Sequence, residues 1–257
     1  MHHIIIYQIL FICIAMLSSI YSYSLKASLR PRGAAQQAIL REKHVLKESF
    51  KNQVSLVHQY WKEAINVQVS SAVVVDCTAG NGHDTLYLSQ LLAKTPLVAY
   101  KLYYIDINPT AIMKTKDLLV KNQQNLVNCI GITGSHETFP SEIQAESVDI
   151  MCYNLGYMPG NIDDYQDGSR MCTKGSSTTI SITNGLQLLK KGGLMTIIAY
   201  RGHEAGLEEE MEVKKILQKL DETKWRVSLT MNILVENSPV VYCVYRRNRT
   251  PRGNHIR

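Results

Sequence analysis

Residues 75–84 read "VDCTAGNGHD", and this stretch decides how the rest of the chain is interpreted. An apolar run ends at the carboxylate of Asp76, and two glycines follow within six positions. Gly80 and Gly82 lack side chains, so the backbone can turn tightly there and a ligand can approach it closely. A buried strand, a glycine turn and then a helix are typical of the ligand-binding edge of an open parallel sheet.

Strand-like and helix-like segments alternate from Ser71 onward. Seven apolar runs, among them "AVVVD" and "VDIMCYNL", predict buried strands, and "PTAIMKTKDLLVKN", opened by Pro109, predicts a helix. "SSTTISITNGLQLLKKGG" predicts a helix that glycine closes, with lysines near its C-terminal end. "WRVSLTMNILVE" and "PVVYCVYR" predict a final hairpin-like pair. We therefore expect an α/β, Rossmann-like fold: a mostly parallel seven-stranded sheet with one late antiparallel strand and helices on both faces.

The two ends of the chain differ in charge from its centre. Residues 1–62 carry a net charge of +6 and residues 246–257 carry +5, so the total of +6 leaves −5 for residues 63–245. We interpret residues 247–257 as a basic tail that contacts phosphates or serves targeting or solubility. Six cysteines form no CxxC pair and show no metal-ligand spacing, so we expect buried free thiols and no metal.

Residues 1–48 are interpreted as a presequence. Residues 4–17 are apolar apart from Gln8 and would rise about 21 Å as a helix, less than the roughly 30 Å of a bilayer core. The segment 4–24 is therefore signal-like, with a membrane anchor at 4–20 as the alternative. Residues 25–48, rich in Ala, Ser and Arg, have transit-peptide composition, which favours import into a plastid over simple secretion. A helix is expected to begin near Ser49, and the mature domain is expected to form no stable membrane association.

Acidic residues at the ends of the first two strands favour an adenosine-containing cofactor. Asp106 ends the second strand, where a carboxylate can accept hydrogen bonds from both hydroxyls of a ribose. A dinucleotide site requires GxGxxG, but Thr85 occupies the third glycine position. Asp76 and Asp84 also place negative charge where a pyrophosphate would lie. The cationic sulfonium of S-adenosylmethionine fits this charge better than NAD does. Asp84 is further expected to cap the helix that follows.

The complete set of motifs resembles a family of methyltransferases. "VDCTAGNGHDTLYL" (75–88) and "YIDI" (104–107) resemble motifs I and II of class I methyltransferases. "GSHE" (134–137), "NLGYMPG" (154–160), residues 177–193 and "YRGHEAGLEEE" (200–210) resemble a bacterial and plastid family long labelled as rRNA methylases. The resemblance covers about residues 49–246, the expected methyltransferase domain. The segment after "NLGYMPG", residues 161–177, is longer than the family pattern.

The resemblance implies methylation of the amino group of 5-aminomethyluridine at the wobble position of tRNA. The anticodon loop would then be the partner, with Arg170, Lys174, Arg201 and the basic tail as candidate phosphate contacts. The implied cofactor contacts are Asp76, Thr78, Gly80, Asn81, Gly82, His83, Asp84, Thr85, Asp106, Ile107, Ser135, His136 and Asn154. Ser135 and His136 are assigned by the resemblance to the adenine side.

Three residues are expected to serve the chemistry. "NLGY" lies where amino-methylating enzymes that resemble this chain carry Asn-Pro-Pro-Tyr, so the amide oxygen of Asn154 would accept an N–H of the amine. Tyr157 would stack on the base, a contact of about 1–3 kcal/mol. His203 would accept a proton from the ammonium or contact a phosphate, and the sequence leaves both open. Glu208–Glu210 are expected to form the solvated start of a helix.

Other functions remain open from the sequence. A class I methyltransferase acting on rRNA or on a small amine fits the same motifs, and the acidic centre of the chain leaves a small substrate open as an alternative. A non-catalytic cofactor-binding factor and a dehydrogenase are further alternatives, although "NLGY" argues against a pure binder. The oligomeric state, including a homodimer, is also left open.

Overall fold

The structure, a computed structural model, describes residues 32–66, 70–156, 175–202 and 204–248. The signal-like segment, Arg170, Lys174 and residues 249–257 of the basic tail lie outside these ranges. The chain divides into two compact units, Met1–Glu48 and Ser49–Arg257. Helix α1 spans Arg32–Asn66 and begins earlier than the sequence predicts. Among the described residues, no helix is long and apolar enough to cross a membrane.

The second unit contains a seven-stranded sheet in the order β3-β2-β1-β4-β5-β7-β6. Strand β7 is antiparallel to both neighbours, and the other pairings are parallel. This confirms the predicted fold. The strands are β1 (Ser71–Asp76), β2 (Ala99–Asp106), β3 (Cys129–Thr133), β4 (Val148–Asn154), β5 (Leu189–Ala199), β6 (Trp225–Met231) and β7 (Val240–Arg246). The remaining helices are α2 (His83–Lys94), α3 (Pro109–Lys121), α4 (Gly175–Leu188) and α5 (Glu204–Leu217).

Helices cover both faces of the sheet because the central strands are apolar on both sides. On one face, α4 and α5 pack through Ile182 and Val213 against strand residues such as Met151. On the other face, α1, α2 and α3 pack through Trp61, Leu88 and Leu119, among others, against strand residues that include Val74 and Ile150. Alternate residues of β1 and β4 thus belong to opposite cores, as continuous buried strands require.

Helix α4 ends before the lysines that the sequence assigned to its C-terminal end. It stops at Leu188, and Leu189 pairs with Val148 as the first residue of β5. Lys190 lies in the strand and forms an ion pair with Asp149. Gly192, with φ of +80°, follows within the irregular start of β5, where the register shifts. The hydrogen bonds formed by pairing with β4 therefore outweigh the helical pattern of this segment.

The acids at the start of α5 are not all solvated, contrary to the expectation for Glu208–Glu210. Glu208 is exposed, but Glu209 and Glu210 are only 4% and 6% exposed. Thr178 Oγ1 donates to Glu209 Oε1 at 2.6 Å, and the hydroxyl of Tyr242 donates to Glu210. These bonds compensate the burial of two carboxylates and join α5 to α4 and β7.

The described cysteines match the prediction of buried free thiols. Cys77, Cys129, Cys152 and Cys243 are all buried and unpaired. Burial raises the pKa of each thiol above its usual value. These four side chains therefore behave as small apolar groups rather than as nucleophiles.

Candidate active site

The predicted site residues follow four strands that are neighbours in the sheet. Strands β3, β2, β1 and β4 are adjacent and parallel, so their C-terminal ends lie on one edge. The edge therefore brings together the loop after β1, the acid that ends β2, the residues after β3 and Asn154 at the end of β4. Four segments separated by many residues form one site because of this topology.

Asp76 holds the loop after β1 through hydrogen bonds to its buried carboxylate. Its side chain is 1% exposed, and Oδ2 accepts from Thr85 Oγ1 at 2.6 Å while Oδ1 accepts from Thr78 N at 3.1 Å. Burial, with smaller contributions from Asp84 and Asp106, raises the pKa of Asp76 to about 7, against the lowering effect of the two hydrogen bonds. Asp76 therefore shapes the loop and can change its charge near neutral pH.

The glycines of the loop take conformations that favour glycine. Gly80 and Gly82 have φ of +52° and +80°. A Cβ on Gly82 would lie 2.8 Å from Thr115 Cα, which no side chain tolerates. The N–H of Gly80 donates to Asp106 Oδ2 at 2.9 Å, and the N–H of Asn108 donates to Oδ1 at 2.8 Å. Each carboxylate oxygen has two lone pairs, so Asp106 keeps acceptor capacity for ribose hydroxyls.

Asp84 does not cap α2, contrary to the prediction. The residue at the cap position is Gly82, and no side chain caps this helix. Asp84 lies in the first turn, where Oδ2 accepts from Asn154 Nδ2 at 3.1 Å and Oδ1 lies 2.9 Å from His58 Nε2. The attraction of these two partners directs the carboxylate away from the helix N-terminus.

His136 brings a buried polar atom without a protein partner in the described ranges to this edge of the sheet. Its carbonyl oxygen accepts from Ser181 Oγ at 2.7 Å, whereas its buried Nδ1 has no hydrogen-bond partner among the described residues. Burial lowers the pKa of His136, although Glu137 and Asp106 act in the opposite direction. A neutral imidazole with an unpartnered nitrogen suits hydrogen bonding to a bound molecule. Neighbouring Ser135 donates from Oγ to Glu137 Oε2 at 2.8 Å.

Asn154 is held through its backbone at the end of β4. Its N–H donates to Thr78 Oγ1 at 2.7 Å, and the next N–H, of Leu155, donates to Ile198 O at 2.8 Å. Gly156 follows with φ of +130°. Tyr157 and His203, the other two residues predicted for catalysis, lie outside the described residues.

Three further predicted cofactor contacts follow β1 and β2 in the chain. Asn81 is half-buried, whereas His83 and Ile107 are exposed. His58 also reaches the site, although no sequence pattern selects it. It lies beside the apolar stripe of α1, and only the packing of α1 against α2 brings it to Asp84.

The residues fit an adenosine cofactor. The bare backbone of the glycine loop, the acceptor capacity of Asp106 and the unpartnered His136 Nδ1 are the features that such a molecule requires. Within the described part of the chain, no group of three His, Cys, Asp or Glu side chains could hold a metal ion.

Comparison with known proteins identifies a family and related chains. The family described as "Putative rRNA methylase" matches residues 102–246. The chain is 27% identical over 204 residues to the chloroplastic tRNA (mnm(5)s(2)U34)-methyltransferase of Arabidopsis thaliana, covering 77% of this chain and 70% of that protein.

Two solved structures share the fold. A "putative rRNA-methylase" from Clostridium thermocellum is 28% identical, with a TM-score of 0.65 over 75% of this chain and 96% of that one. A "putative methyltransferase" from Streptococcus mutans, solved in complex with SAH, is 25% identical, with a TM-score of 0.62 over 75% of this chain and 97% of that one.

The fold is that of a class I methyltransferase that uses S-adenosylmethionine. More narrowly, the chain belongs to the family described as "Putative rRNA methylase", whose match spans more than half of its length.

Proposed function

We propose that this enzyme transfers a methyl group to the amino nitrogen of 5-aminomethyluridine at the wobble position of tRNA. The observation that carries the proposal is the amide of Asn154, whose Nδ2 donates to Asp84 and whose Oδ1 is therefore the atom left to accept a hydrogen bond from an amine. The name of the Arabidopsis relative supplies the substrate class.

Methyl transfer to an amine requires a neutral amine, an in-line approach to the methyl group and the exclusion of water. S-adenosylmethionine, when bound, supplies an electrophilic methyl group on a sulfonium. Asn154 Oδ1 accepts one N–H of the amine and so directs the nitrogen lone pair, and the ammonium product then loses one proton. Orientation of this kind is worth effective molarities of about 10⁵ M or more.

We propose that the glycine loop and the residues that end β2 or follow β2 and β3 hold the cofactor. Asp106 would accept the ribose hydroxyls, the loop of Gly80 and Gly82 would take the tail of the cofactor against bare backbone, and His136 with Ser135 would contact the adenine. Thr78, Asn81, His83, Thr85 and Ile107 complete the proposed contacts. Tyr157 is proposed to stack on the uracil, and His203 to accept the proton or contact phosphate.

The remaining organisation is proposed from the sequence. Residues 1–48 would form a plastid-targeting presequence, residues 49–246 the methyltransferase domain and residues 247–257 a basic tail that contacts tRNA phosphates. The chloroplastic relative supports this location. Arg201, whose Nε lies 3.9 Å from Glu210 Oε2, would add a phosphate contact near the site.

The test uses the full chain, S-adenosylmethionine and tRNA that carries 5-aminomethyluridine. The product is digested to nucleosides and analysed by mass spectrometry, and we expect a gain of one methyl group on that nucleoside alone. A matched tRNA with unmodified uridine at the same position should gain none, and Asn154→Ala should lose turnover. Clear cofactor binding without a methyl gain would overturn the substrate assignment.

A small amine is the second candidate, and the charge of the chain favours it. Residues 63–245 carry a net charge of −5, which repels a polyanion. A tRNA substrate predicts an affinity that falls steeply with salt, whereas a small amine does not. Measuring KM between about 50 and 200 mM salt separates the two, because binding through phosphate contacts weakens strongly over this range.

A further inference from the structure

Three polar side chains from three different elements form a continuous hydrogen-bonded chain at the site. His58 Nε2 in α1 lies 2.9 Å from Asp84 Oδ1 in α2, and Asp84 Oδ2 accepts from Asn154 Nδ2 at the end of β4 at 3.1 Å. The side chains of His58 and Asp84 are 22% and 14% exposed, so water competes little for these bonds. The chain ends at the residue proposed to orient the amine.

The carboxylate decides which way the Asn154 amide faces. An ionised carboxylate has acceptors only, so the Asn154 atom that meets it must be the donor Nδ2, and Oδ1 points away from it. The backbone on both sides is fixed through Thr78 and Ile198, so it does not shift to compensate a change in the orientation of the amide. With an apolar neighbour in place of Asp84, the two amide orientations would differ little in energy.

His58 fixes the carboxylate in turn. Its ring stacks on Tyr87, with centroids 3.8 Å apart and planes inclined by 9°, and it also contacts Trp61 at 5.1 Å. The hydroxyl of Tyr87 donates to the carbonyl oxygen of His58 at 3.2 Å. The imidazole is therefore held in one orientation, with Nε2–H directed at Asp84, because a carboxylate can only accept.

We propose that Asp84, oriented by His58, is the positioning residue that presents Asn154 Oδ1 to the amine. This inference rests on the proposed function, and it gives Asp84 a role that differs from the cofactor contact that the sequence predicts. A cofactor contact would appear in the affinity for S-adenosylmethionine. A positioning residue appears in kcat.

The first variant is Asp84→Asn in the full chain. While His58 keeps its proton on Nε2, the new amide accepts from His58 through its oxygen, so its NH₂ group faces Asn154. Asn154 must then rotate its oxygen toward residue 84 and present Nδ2 to the substrate. We expect kcat to fall by about 10²-fold, the usual cost of misplacing a reacting group, with the KM for tRNA and the Kd for S-adenosylmethionine near those of the parent enzyme.

A reciprocal exchange provides the rescue. In the double variant Asp84→Asn with Asn154→Asp, the amide at 84 donates to the carboxylate at 154, whose second oxygen faces the amine as an acceptor. We expect this double variant to recover most of the kcat lost in Asp84→Asn, which a purely structural role would not produce.

His58→Phe, which keeps the stack on Tyr87 and removes the donor, should show a smaller loss of kcat. Asp117→Asn, the same chemical change on an exposed position of α3, should leave kcat unchanged.

A second readout needs no turnover. The side-chain amide resonances of Asn154 in a ¹⁵N-correlated NMR spectrum are identified by their loss in Asn154→Asp. A bond to a carboxylate should separate the two proton shifts and slow their exchange, and both effects should disappear in Asp84→Asn. If the parent enzyme methylates no tRNA, the proposed function fails, and this spectrum still decides whether Asp84 holds Asn154. Unchanged amide resonances, a kcat that Asp84→Asn does not lower, or a loss confined to cofactor affinity would each overturn the inference.

Discussion

The backbone N–H of Gly80 donates to Oδ2 of Asp106 at 2.9 Å, so the loop after β1 and the acid that ends β2 hold each other in place. Asp106 thus has two tasks: it fixes the loop and it keeps acceptor capacity for a ribose. Loss of its carboxylate should therefore affect the cofactor more than any other single truncation on this edge of the sheet.

Asp106→Ala should reduce the affinity for S-adenosylmethionine by about 10²-fold or more, because hydrogen bonds to a charged group contribute about 1.5–3 kcal/mol each. Isothermal titration calorimetry on the full chain measures this. Asp117→Ala, an exposed carboxylate on α3, is the matched control and should bind normally. Normal cofactor binding by Asp106→Ala would show that the ribose is held elsewhere.

Gly82→Ala should destabilise the enzyme and weaken cofactor binding together. The added Cβ would meet Thr115 Cα at 2.8 Å in a backbone conformation that alanine rarely adopts, and strain of this kind costs about 1–3 kcal/mol. Urea unfolding gives the stability change. Gly134→Ala is the control, since a Cβ there meets no atom within 4 Å. Equal stability of the two variants would contradict the prediction.

Asp76 should make the stability of the apo enzyme fall as the pH rises from about 4 to about 7. Its folded-state pKa is raised from 3.8 to about 7, so over this range the folded chain keeps a proton that the unfolded chain releases. One proton corresponds to about 1.4 kcal/mol per pH unit. Above the folded-state pKa this contribution no longer changes.

Asp76→Asn keeps the shape and removes the titration. Urea unfolding at several pH values should therefore give the variant a less negative slope of stability against pH below pH 7, while Asp117→Asn keeps the parental slope. Identical slopes for the parent and Asp76→Asn would mean that Asp76 is ionised throughout in the folded state.

Thr196→Val should destabilise the sheet by about 1–3 kcal/mol, the usual cost of an unsatisfied buried donor. Trp61 Nε1 donates to Thr196 Oγ1 at 2.9 Å, and both side chains are buried. Thermal or urea unfolding measures the loss. Thr230→Val, on the edge strand β6, should change stability by about 0.5 kcal/mol or less. A Thr196 variant as stable as the Thr230 variant would refute the role of this bond.

Much of the fold could be predicted because its signals are local. Continuous apolar strands and helical spacing predict the seven strands and the one antiparallel strand. The end of α4 could not be predicted, because Leu189 leaves a helical pattern in order to pair with Val148. Glu209 and Glu210 look like surface residues until Thr178 and Tyr242 are placed against them.

Some features of the candidate site could likewise be predicted from the sequence, and others could not. The glycine loop and Asp106 are recognisable from spacing, whereas the bond partners of Asp84 are not. An acid at the start of a helix suggests a cap, and only the approach of α1 and β4 gives Asp84 two stronger partners. His58 had no local signal at all, because its neighbours in sequence describe an ordinary amphipathic helix.

The contact between Leu155 and Ile198 has a consequence for protein synthesis. The glycine loop leaves the ribosome long before Asn154, and Asn154 in turn leaves well before the strand that holds its turn. A nascent chain therefore carries the glycine loop for some time without the bond between Asn154 and Thr78. Full affinity for S-adenosylmethionine should therefore arise late in translation, once β5 has entered the sheet and the turn at Asn154 has formed.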